Sequence, residues 1–320
     1  MKKRGMFVLW KNLSPTQRKL LSAFSFVLPI LIWCVVSYVP FVWHPMVRIS
    51  NPGEVSFFKE DMLAEKRVFV EQNRLMKSKG LKEAEGVPAN PVYLPAPHEV
   101  AVSLVKSFTT PPVRQDEPWL YESLLHSIRV IFWAFFLSSI LGVPLGILCG
   151  TYKFFSHLSE PFIEYFRYLP APVFAALAVA ILGINDGPKI AIIFIGTFFQ
   201  QVLVIANTTR KMDISLIEAA QTLGASERKI LKSVVIPAIL PDLYRDMRIL
   251  LGWAWTYLIV AEVVGASTGI SWFINQQAKY RNFDKVFAAI LIIGLIGIVS
   301  DVILAKLGKR LFHWKYINEK

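Results

Sequence analysis

Residues that build disulfide frameworks and metal sites are scarce in this chain. Its 320 residues include two cysteines, Cys34 and Cys149, both inside apolar stretches, and five histidines scattered along the sequence. A disulfide framework needs a spaced, even set of cysteines, and a zinc site needs closely spaced Cys and His ligands. We therefore predict neither a disulfide framework nor a metal site.

The sequence also lacks the motifs of nucleotide hydrolysis and of zinc-dependent hydrolysis. It contains no GxxxxGKS or GxxxxGKT loop and no HExxH, and no Ser/His/Asp arrangement supports a serine nucleophile. Without the first motif, no loop of that kind can hold the phosphates of ATP, and HExxH would have indicated a zinc site. We predict that the chain is not an enzyme and holds no cofactor of its own.

Acidic residues are in deficit. There are 23 Asp and Glu against 35 Lys and Arg, which gives a formal net charge of +12. Such a balance can indicate nucleic-acid binding when the basic residues form one face. Here they cluster beside long apolar stretches, the distribution typical of the cytoplasmic ends of membrane spans. We predict contact with membrane lipid and no nucleic-acid partner.

Apolar residues are abundant, at 54% of the chain, and form six stretches near the roughly 20 residues that a bilayer core requires. We predict an all-α, polytopic membrane protein with six transmembrane helices. The predicted spans cover residues 20–42, 127–150, 168–184, 188–208, 238–264 and 284–306.

Proline and glycine mark two features of these spans. Pro170 and Pro172 at the start of the third span lack backbone donors, so a delayed or kinked helix is expected there. Gly142, Gly146 and Gly150 in the second span recur at every fourth position, a pattern that lets another helix approach closely.

The basic residues also predict the orientation. Six of them and no acidic residue precede Leu20, and the tail from Lys306 carries five against a single Glu319. Both termini are therefore predicted to be cytoplasmic. Counting spans places the loop with Lys153 and Arg167 on the same side, together with segment 215–237.

This topology divides the chain into three parts. Residues 1–42 form the N-terminus and the first span, 43–118 an enlarged outer loop, and 119–320 a core with the other five spans. Within the loop, the mixed charged and apolar composition of 53–80 favours one or two surface helices, and the proline-rich 87–97 favours extended chain. The loop either packs over the outer face or binds an outer partner.

Four polar residues within the spans are candidates for a translocation path: Gln200, Gln201, Glu262 and Asp301. Polar groups in hydrocarbon are costly, so they face either an aqueous path or a neighbouring helix. Both alternatives remain open for each of them. An ion-coupled secondary transporter using Glu262 or Asp301 is the alternative function.

Segment 215–237 reads SLIEAAQTLGASERKILKSVVIP. Ser215 and Glu218 have the spacing of a capping box, so a helix is expected from about Leu216, and Gly224 is expected to end it in a left-handed conformation. The helix would be about 12 Å long, too short to be stable alone. Its apolar face therefore needs a partner, and that face consists of Leu216, Ala219, Ala220 and Leu223.

This segment resembles the EAA segment of permeases from bacterial ABC importers. Glu218, Ala219, Ala220, Gly224 and Pro237 match its spacing, whereas Val234 and Ile236 stand where Ile and Leu are usual. The flanking runs FRYLPAPVFAALAVAILGI and DMRILLGWAWTYLIVAEVVGASTGISWFI are similar to permeases of the nitrate, sulfonate, taurine and bicarbonate type.

The resemblance implies a type I importer in the bacterial inner membrane. Two permease copies would be joined by two cytoplasmic ABC ATPase subunits, which bind ATP and Mg, and by a solute-binding protein at the outer face. Segment 215–237 would be the coupling segment, with Ser215, Leu216, Glu218, Ala219, Ala220, Leu223, Gly224 and Pro237 at the ATPase contact. The substrate would be a small solute, an anion such as nitrate, bicarbonate or an organosulfonate.

Overall fold

The computed structural model describes residues 13–39, 43–112, 118–264 and 268–316. The first four of the N-terminal basic residues and Lys320 lie outside these ranges. Internal contacts divide the chain into two units. Unit 1 covers Met1–Val105 and Arg281–Phe287, and unit 2 covers Lys106–Tyr280 and Ala288–Lys320.

Unit 1 begins with α1 (Pro15–Tyr38), the predicted first span. The Ser14 side chain accepts a hydrogen bond from the backbone N–H of Gln17, whose own side chain accepts one from the backbone N–H of Ser14. This reciprocal capping box starts the helix. Only a small share of the apolar stretch of α1 is buried, as expected for a helix that contacts lipid.

The outer loop contains a small sheet that the sequence does not predict. Its strands are β1 (Met46–Asn51), β2 (Leu63–Glu65) and β3 (Glu85–Ala89), and β1 lies between the other two with antiparallel pairing on both sides. Between β2 and β3 runs α2 (Lys66–Ser78), the predicted surface helix. Ile49, Phe58 and Ala84 form part of a small apolar core. The loop then continues into α3 (Pro97–Thr109).

Unit 2 is helical throughout the part that the structure describes. Its helices are α4 (Leu120–Thr151), α5 (Lys153–Arg167), α6 (Ala175–Leu182), α7 (Asp186–Arg210), α8 (Ser215–Thr222), α9 (Glu227–Ile230), α10 (Ile236–Val264), α11 (Ile270–Lys279), α12 (Phe283–Leu311) and α13 (His313–Tyr316). The first turn of α12 belongs to unit 1. The described residues include five helices that are long and apolar enough to cross a membrane.

The third predicted span, 168–184, is wrong as a single helix. α5 and α6 meet at an angle of 88°, and together they make the sixth span if the pair is counted as one. A short 3-10 turn at Ala171–Phe174 separates them, just after Pro170. The bend agrees with the kink expected at Pro170 and Pro172, which remove donors from the turn that would join the two halves.

The glycine repeat of α4 is the contact surface for α7, as predicted. A Cβ atom on Gly142 would lie 3.0 Å from Gln201 Oε1, and one on Gly146 would lie 2.8 Å from the Cβ of Ile205. Because these glycines have no side chains, the backbones of α4 and α7 can lie close together. This pair forms the centre of unit 2.

Candidate functional site

Helix α8 begins differently from the prediction. The Ser215 side chain makes no capping bond, and the Ser215 N–H donates to Asp213 Oδ1 at 3.0 Å. This hydrogen bond lowers the pKa of the Asp213 carboxyl. The expected capping box between Ser215 and Glu218 is therefore wrong, because Ile214 already has helical dihedrals and the helix starts one residue earlier.

The end of α8 agrees with the prediction. Gly224 has φ +74°, the left-handed region that glycine adopts without strain. Its N–H donates to the Gln221 carbonyl at 2.8 Å, and the Ala225 N–H donates to the Ala220 carbonyl at 3.0 Å. These two bonds form a Schellman motif, which satisfies carbonyls at the helix end and reverses the chain toward α9.

The two sides of α8 have different surroundings. Ala220, predicted on the face that contacts the ATPase, is instead buried within this chain. Together with the half-buried Ile217 it packs into an apolar cluster with Ile205, Ile230 and Val235. The rest of the predicted apolar face, beside Ala220, is open. Leu216 is 46% exposed and Leu223 is 87% exposed, and Ala219 between them is also exposed. We call Leu216, Ala219 and Leu223 the open stripe of α8.

A continuous helix connects this segment to the fifth span. α9, a π-helical turn at Leu231–Val235 and α10 together run from Glu227 to Val264. In the π turn, the Ile236 N–H donates to the Leu231 carbonyl, five residues back. Pro237 follows directly and has no N–H to offer the preceding turn, which explains the wider winding here.

Glu262, a candidate for the path, is fully buried near the end of α10. Its carboxylate accepts hydrogen bonds from the Ser127 hydroxyl and from the Ser271 N–H, the latter at 2.7 Å. A Cβ on Gly269 would lie 2.1 Å from the Glu262 Oε1 atom. Glu262 therefore fixes the start of α11 to α4 and α10.

A second buried charge stands close by, and the sequence reading missed it. The Lys189 side chain is fully buried, and its Nζ donates to Thr268 Oγ1 at 2.7 Å and to Asp186 Oδ1 at 3.1 Å. The Lys189 Nζ also lies 3.4 Å from His126 Nε2. A lysine in the first turn of a span was the signal available in the sequence.

Gln201 and Asp301 also have partners within the chain. Gln201 is fully buried, where its Oε1 accepts from the Ser138 hydroxyl and its Nε2 donates to Ser139 Oγ at 3.2 Å, which joins α7 to α4. Asp301 accepts from Arg248 at 2.7 Å, a partner that the sequence reading did not propose. Both ionisable candidates are thus bound to fixed groups, and nothing in this geometry favours a proton carrier.

Gln200 and Asp301 each line an open space, Asp301 in a cleft of about 210 Å³ beside its partner Arg248 and Gln200 in a different one. Gln200 lies half-buried in a cleft of about 170 Å³ between the end of α5 and the middles of α7 and α10. Arg167, predicted on a cytoplasmic loop, lines the same cleft together with Trp253 and Tyr257. Of the four candidates for the path, this cleft contains only Gln200.

The described residues contain no group of three or more His, Cys, Asp or Glu side chains that could hold a metal ion. Unit 2 is instead a bundle of membrane helices with the short helix α8 at its edge. One side of α8 is open, and a continuous helix connects the segment that follows it to the fifth span.

A family comparison agrees with this arrangement. The family described as "Binding-protein-dependent transport system inner membrane component" matches residues 142–313, which include α8 and the connection through Pro237. The chain belongs to this family. It is an inner-membrane permease, the transport component of an ABC importer, and the ATPase is a separate subunit.

Among its relatives, a putative ABC transporter permease of Methanocaldococcus jannaschii is 34% identical over 71% of this chain and 84% of its own length. The taurine transport system permease of Escherichia coli is 29% identical over 70% of this permease and 81% of its own length. The bicarbonate transport system permease of Synechococcus elongatus is 26% identical over 57% of this permease and 66% of its own length.

The fold is also similar to that of a solved importer. A chain of the inward-facing methionine ABC transporter MetNI matches with a TM-score of 0.53 at 20% identity, covering 62% of this permease and 97% of that chain. The similarity supports a permease fold for the helical core. The outer sheet and α2 lie outside the matched family region.

Proposed function

We propose that this permease imports a small anion, driven by ATP hydrolysis in an ABC ATPase subunit that docks on the open stripe of α8. The observation that carries the proposal is the exposure of Leu216 and Leu223 on a helix whose other side is packed. A short helix with an uncovered apolar stripe is completed by a groove in another protein. Glu218, exposed on the same helix, lies at the edge of that contact.

Coupling then follows from the rigid connection. When ATP closes the ATPase dimer, the two docked segments of a permease pair move together. The helix from Glu227 to Val264 carries this displacement into the membrane, because it is unbroken from α9 through the π turn to the end of α10. The ATPase shifts the permease between two states only because it binds the two states differently.

The remaining partners follow from the family. A second copy of this permease completes the translocation path, a solute-binding protein delivers the anion at the outer face, and lipid surrounds the spans. Both termini and the coupling segment lie in the cytoplasm, as the basic residues indicate. ATP and Mg are bound by the ATPase subunit, and this chain holds no cofactor.

An anion is the substrate class that the named relatives favour. Their printed names include taurine and bicarbonate, and a further relative in Bacillus subtilis is a putative aliphatic sulfonates transport permease. All three solutes carry an oxyanion group. We extend that class, without choosing between the three, to this permease.

A charge placed on the open stripe tests the docking. Leu223→Glu should leave the permease in the membrane but reduce co-purification of the ATPase subunit and ATP-driven uptake at least tenfold, because a carboxylate would be buried in the apolar contact. Uptake by the parent complex in ATP-loaded vesicles should persist with a proton uncoupler present.

Gln221→Glu is the matched control, since it adds the same charge to the same helix away from the stripe. It should keep both the ATPase and the uptake. If Leu223→Glu behaves like this control, or if the uncoupler stops uptake in ATP-loaded vesicles, the proposal fails.

A further inference from the structure

We propose that the cleft between α5, α7 and α10 is an anion-binding subsite within the membrane, in which the Arg167 guanidinium binds the oxyanion group of the solute. This inference rests on the proposed function, because it takes the solute to be an anion. It adds the site and the residues that would recognise it, Arg167 and Gln200 as polar groups and Trp253 and Tyr257 as walls.

The cleft lies near the middle of the membrane. Gly196, one of its lining residues, is 10 residues after the start of α7 and 14 before its end, or about 15 Å and 21 Å along the helix axis. Tyr257 and Trp253 precede the end of α10 by 7 and 11 residues, or about 10 Å and 16 Å. The start of α7 and the end of α10 lie on the same side, since Lys189 donates to Thr268 just beyond α10.

Arg167 is carried to this depth by the broken helix. α5 runs beside the C-terminal half of α7, where Arg210 forms an ion pair with Glu160. One turn before the break, the ring of Phe166 stacks on that of Phe199 with centroids 5.2 Å apart. The 88° bend between α5 and α6 therefore leaves Arg167 at mid-membrane level instead of at the cytoplasmic surface.

At this depth the charge of Arg167 has no carboxylate partner among the described residues. Arg210 and Arg248, by contrast, pair with Glu160 and Asp301. Arg167 instead lies 4.7 Å from the ring centroid of Tyr168 and donates to its hydroxyl at 3.3 Å. Charged residues inside a membrane face aqueous paths or substrates, and an exposed guanidinium offers paired donors to an oxyanion.

The aromatic wall is placed by a glycine. A Cβ on Gly196 would lie 2.7 Å from Cδ2 of Tyr257, so the ring packs directly on the α7 backbone. The absence of a side chain at Gly196 thus sets the position of one wall. Trp253, one turn earlier on α10 and 47% exposed, extends the same wall.

Size and chemistry define the ligand class. The cleft, at about 170 Å³, is smaller than the roughly 300 to 1,000 Å³ of sites for drug-sized ligands. It suits a solute of a few heavy atoms with one oxyanion group, whether sulfonate or bicarbonate. Gln200 can donate a further hydrogen bond, and the rings of Trp253 and Tyr257 can contact a short apolar body.

Uptake by the assembled transporter tests this site. Permease, ATPase and solute-binding protein are reconstituted in ATP-loaded vesicles, and uptake of labelled ethanesulfonate, taurine and bicarbonate is measured separately. For each anion that the parent complex imports, Arg167→Gln should lower the rate at least tenfold. Arg167→Lys, which keeps the charge but not the paired donors, should retain an intermediate rate.

Lys153→Gln is the matched control, because it removes an exposed cation from the other end of the same helix. It should import at the parental rate. ATPase co-purification and thermal stability report whether Arg167→Gln is assembled. If it does not assemble, a parental rate for Arg167→Lys together with a parental rate for Gln200→Leu overturns the inference.

Two failures can be told apart. If the parent complex imports an anion and assembled Arg167→Gln imports it equally well, the subsite is wrong and the proposed function stands. If the parent complex imports none of the three anions, the proposed substrate class fails, and the subsite fails with it.

Discussion

Glu262 is the residue whose surroundings bear most directly on how transport is energised. Its buried carboxylate accepts from the Ser127 hydroxyl and the Ser271 N–H, and Ser127 in turn accepts from the Ile270 N–H at 2.9 Å. Three elements are thus joined by one side chain. A group with fixed donors on both oxygens is suited to holding the start of α11 in place rather than to carrying protons.

Removing this side chain should destabilise the protein. Glu262→Ala leaves the Ser127 hydroxyl and the Ser271 N–H without their acceptor, at a cost of about 1 to 3 kcal/mol for each buried group. We expect thermal unfolding in detergent several degrees below that of the parent. Glu262→Gln, which keeps one acceptor oxygen, should lose less.

A loss of uptake without a loss of stability would favour the alternative function, a secondary transporter in which Glu262 carries a coupling ion. If Glu262→Gln melts like the parent and yet has no uptake, a titrating carboxylate is required. If Glu262→Ala melts like the parent, the carboxylate does not fix α11.

Single residues also show where reasoning from sequence reaches its limit. The spacing of Ser215 and Glu218 identifies possible caps, but it does not fix the dihedrals of Ile214, and Asp213 reaches the Ser215 N–H first. Likewise the sequence identifies Asp301 as an ionisable residue within a span, whereas its partner Arg248 lies 53 positions away and becomes a neighbour only through folding. The left-handed turn at Gly224 depends on local geometry alone and was predicted correctly.

At the scale of elements, the α4–α7 pair is the contact on which unit 2 depends. The glycine repeat places Gly146 so that an added Cβ would be 2.8 Å from the Cβ of Ile205 and 2.9 Å from the Val202 carbonyl oxygen. An added side chain would clash with the α7 backbone and with the branched side chain of Ile205. A larger residue therefore cannot be accommodated without separating the two helices.

Gly146→Val should therefore lower the free energy of unfolding by at least about 1 to 3 kcal/mol, the usual range for overpacking. The measurement is thermal unfolding of the detergent-solubilised permease. Gly294→Val on α12 is the control, because a Cβ there meets nothing within 4 Å in this chain. Equal melting of the two variants would contradict the close approach of α4 and α7.

The spans show which elements hydropathy can predict. Five were placed correctly because continuous apolar runs of this length are distinctive. The bend between α5 and α6 depends on how the segment around Pro170 packs, which composition does not report. The outer sheet was missed because its strands are only 3 to 6 residues long and lie in a segment of mixed charge.

At the scale of the whole molecule, one continuous helix joins the segment that carries the open stripe of α8 to the cleft at mid-membrane level. The family assignment gives the class of transporter, and the resemblance of the EAA segment already implied it from the sequence. Arg167 could not be assigned to the cleft from sequence, because the positive-inside rule counts it as a loop residue until the break in the third span is known.

Photo-crosslinking from position 223 is the most direct test of the central claim, that the stripe on α8 docks the ATPase from the cytoplasm. A benzophenone-bearing amino acid replaces Leu223 in cells expressing the whole transporter, and one at the exposed Tyr93 of the outer loop serves as the control. The account predicts an adduct between the permease and the ATPase subunit from position 223 and none from position 93. An adduct to the solute-binding protein from position 223, or no adduct to the ATPase in assembled transporter, would contradict it.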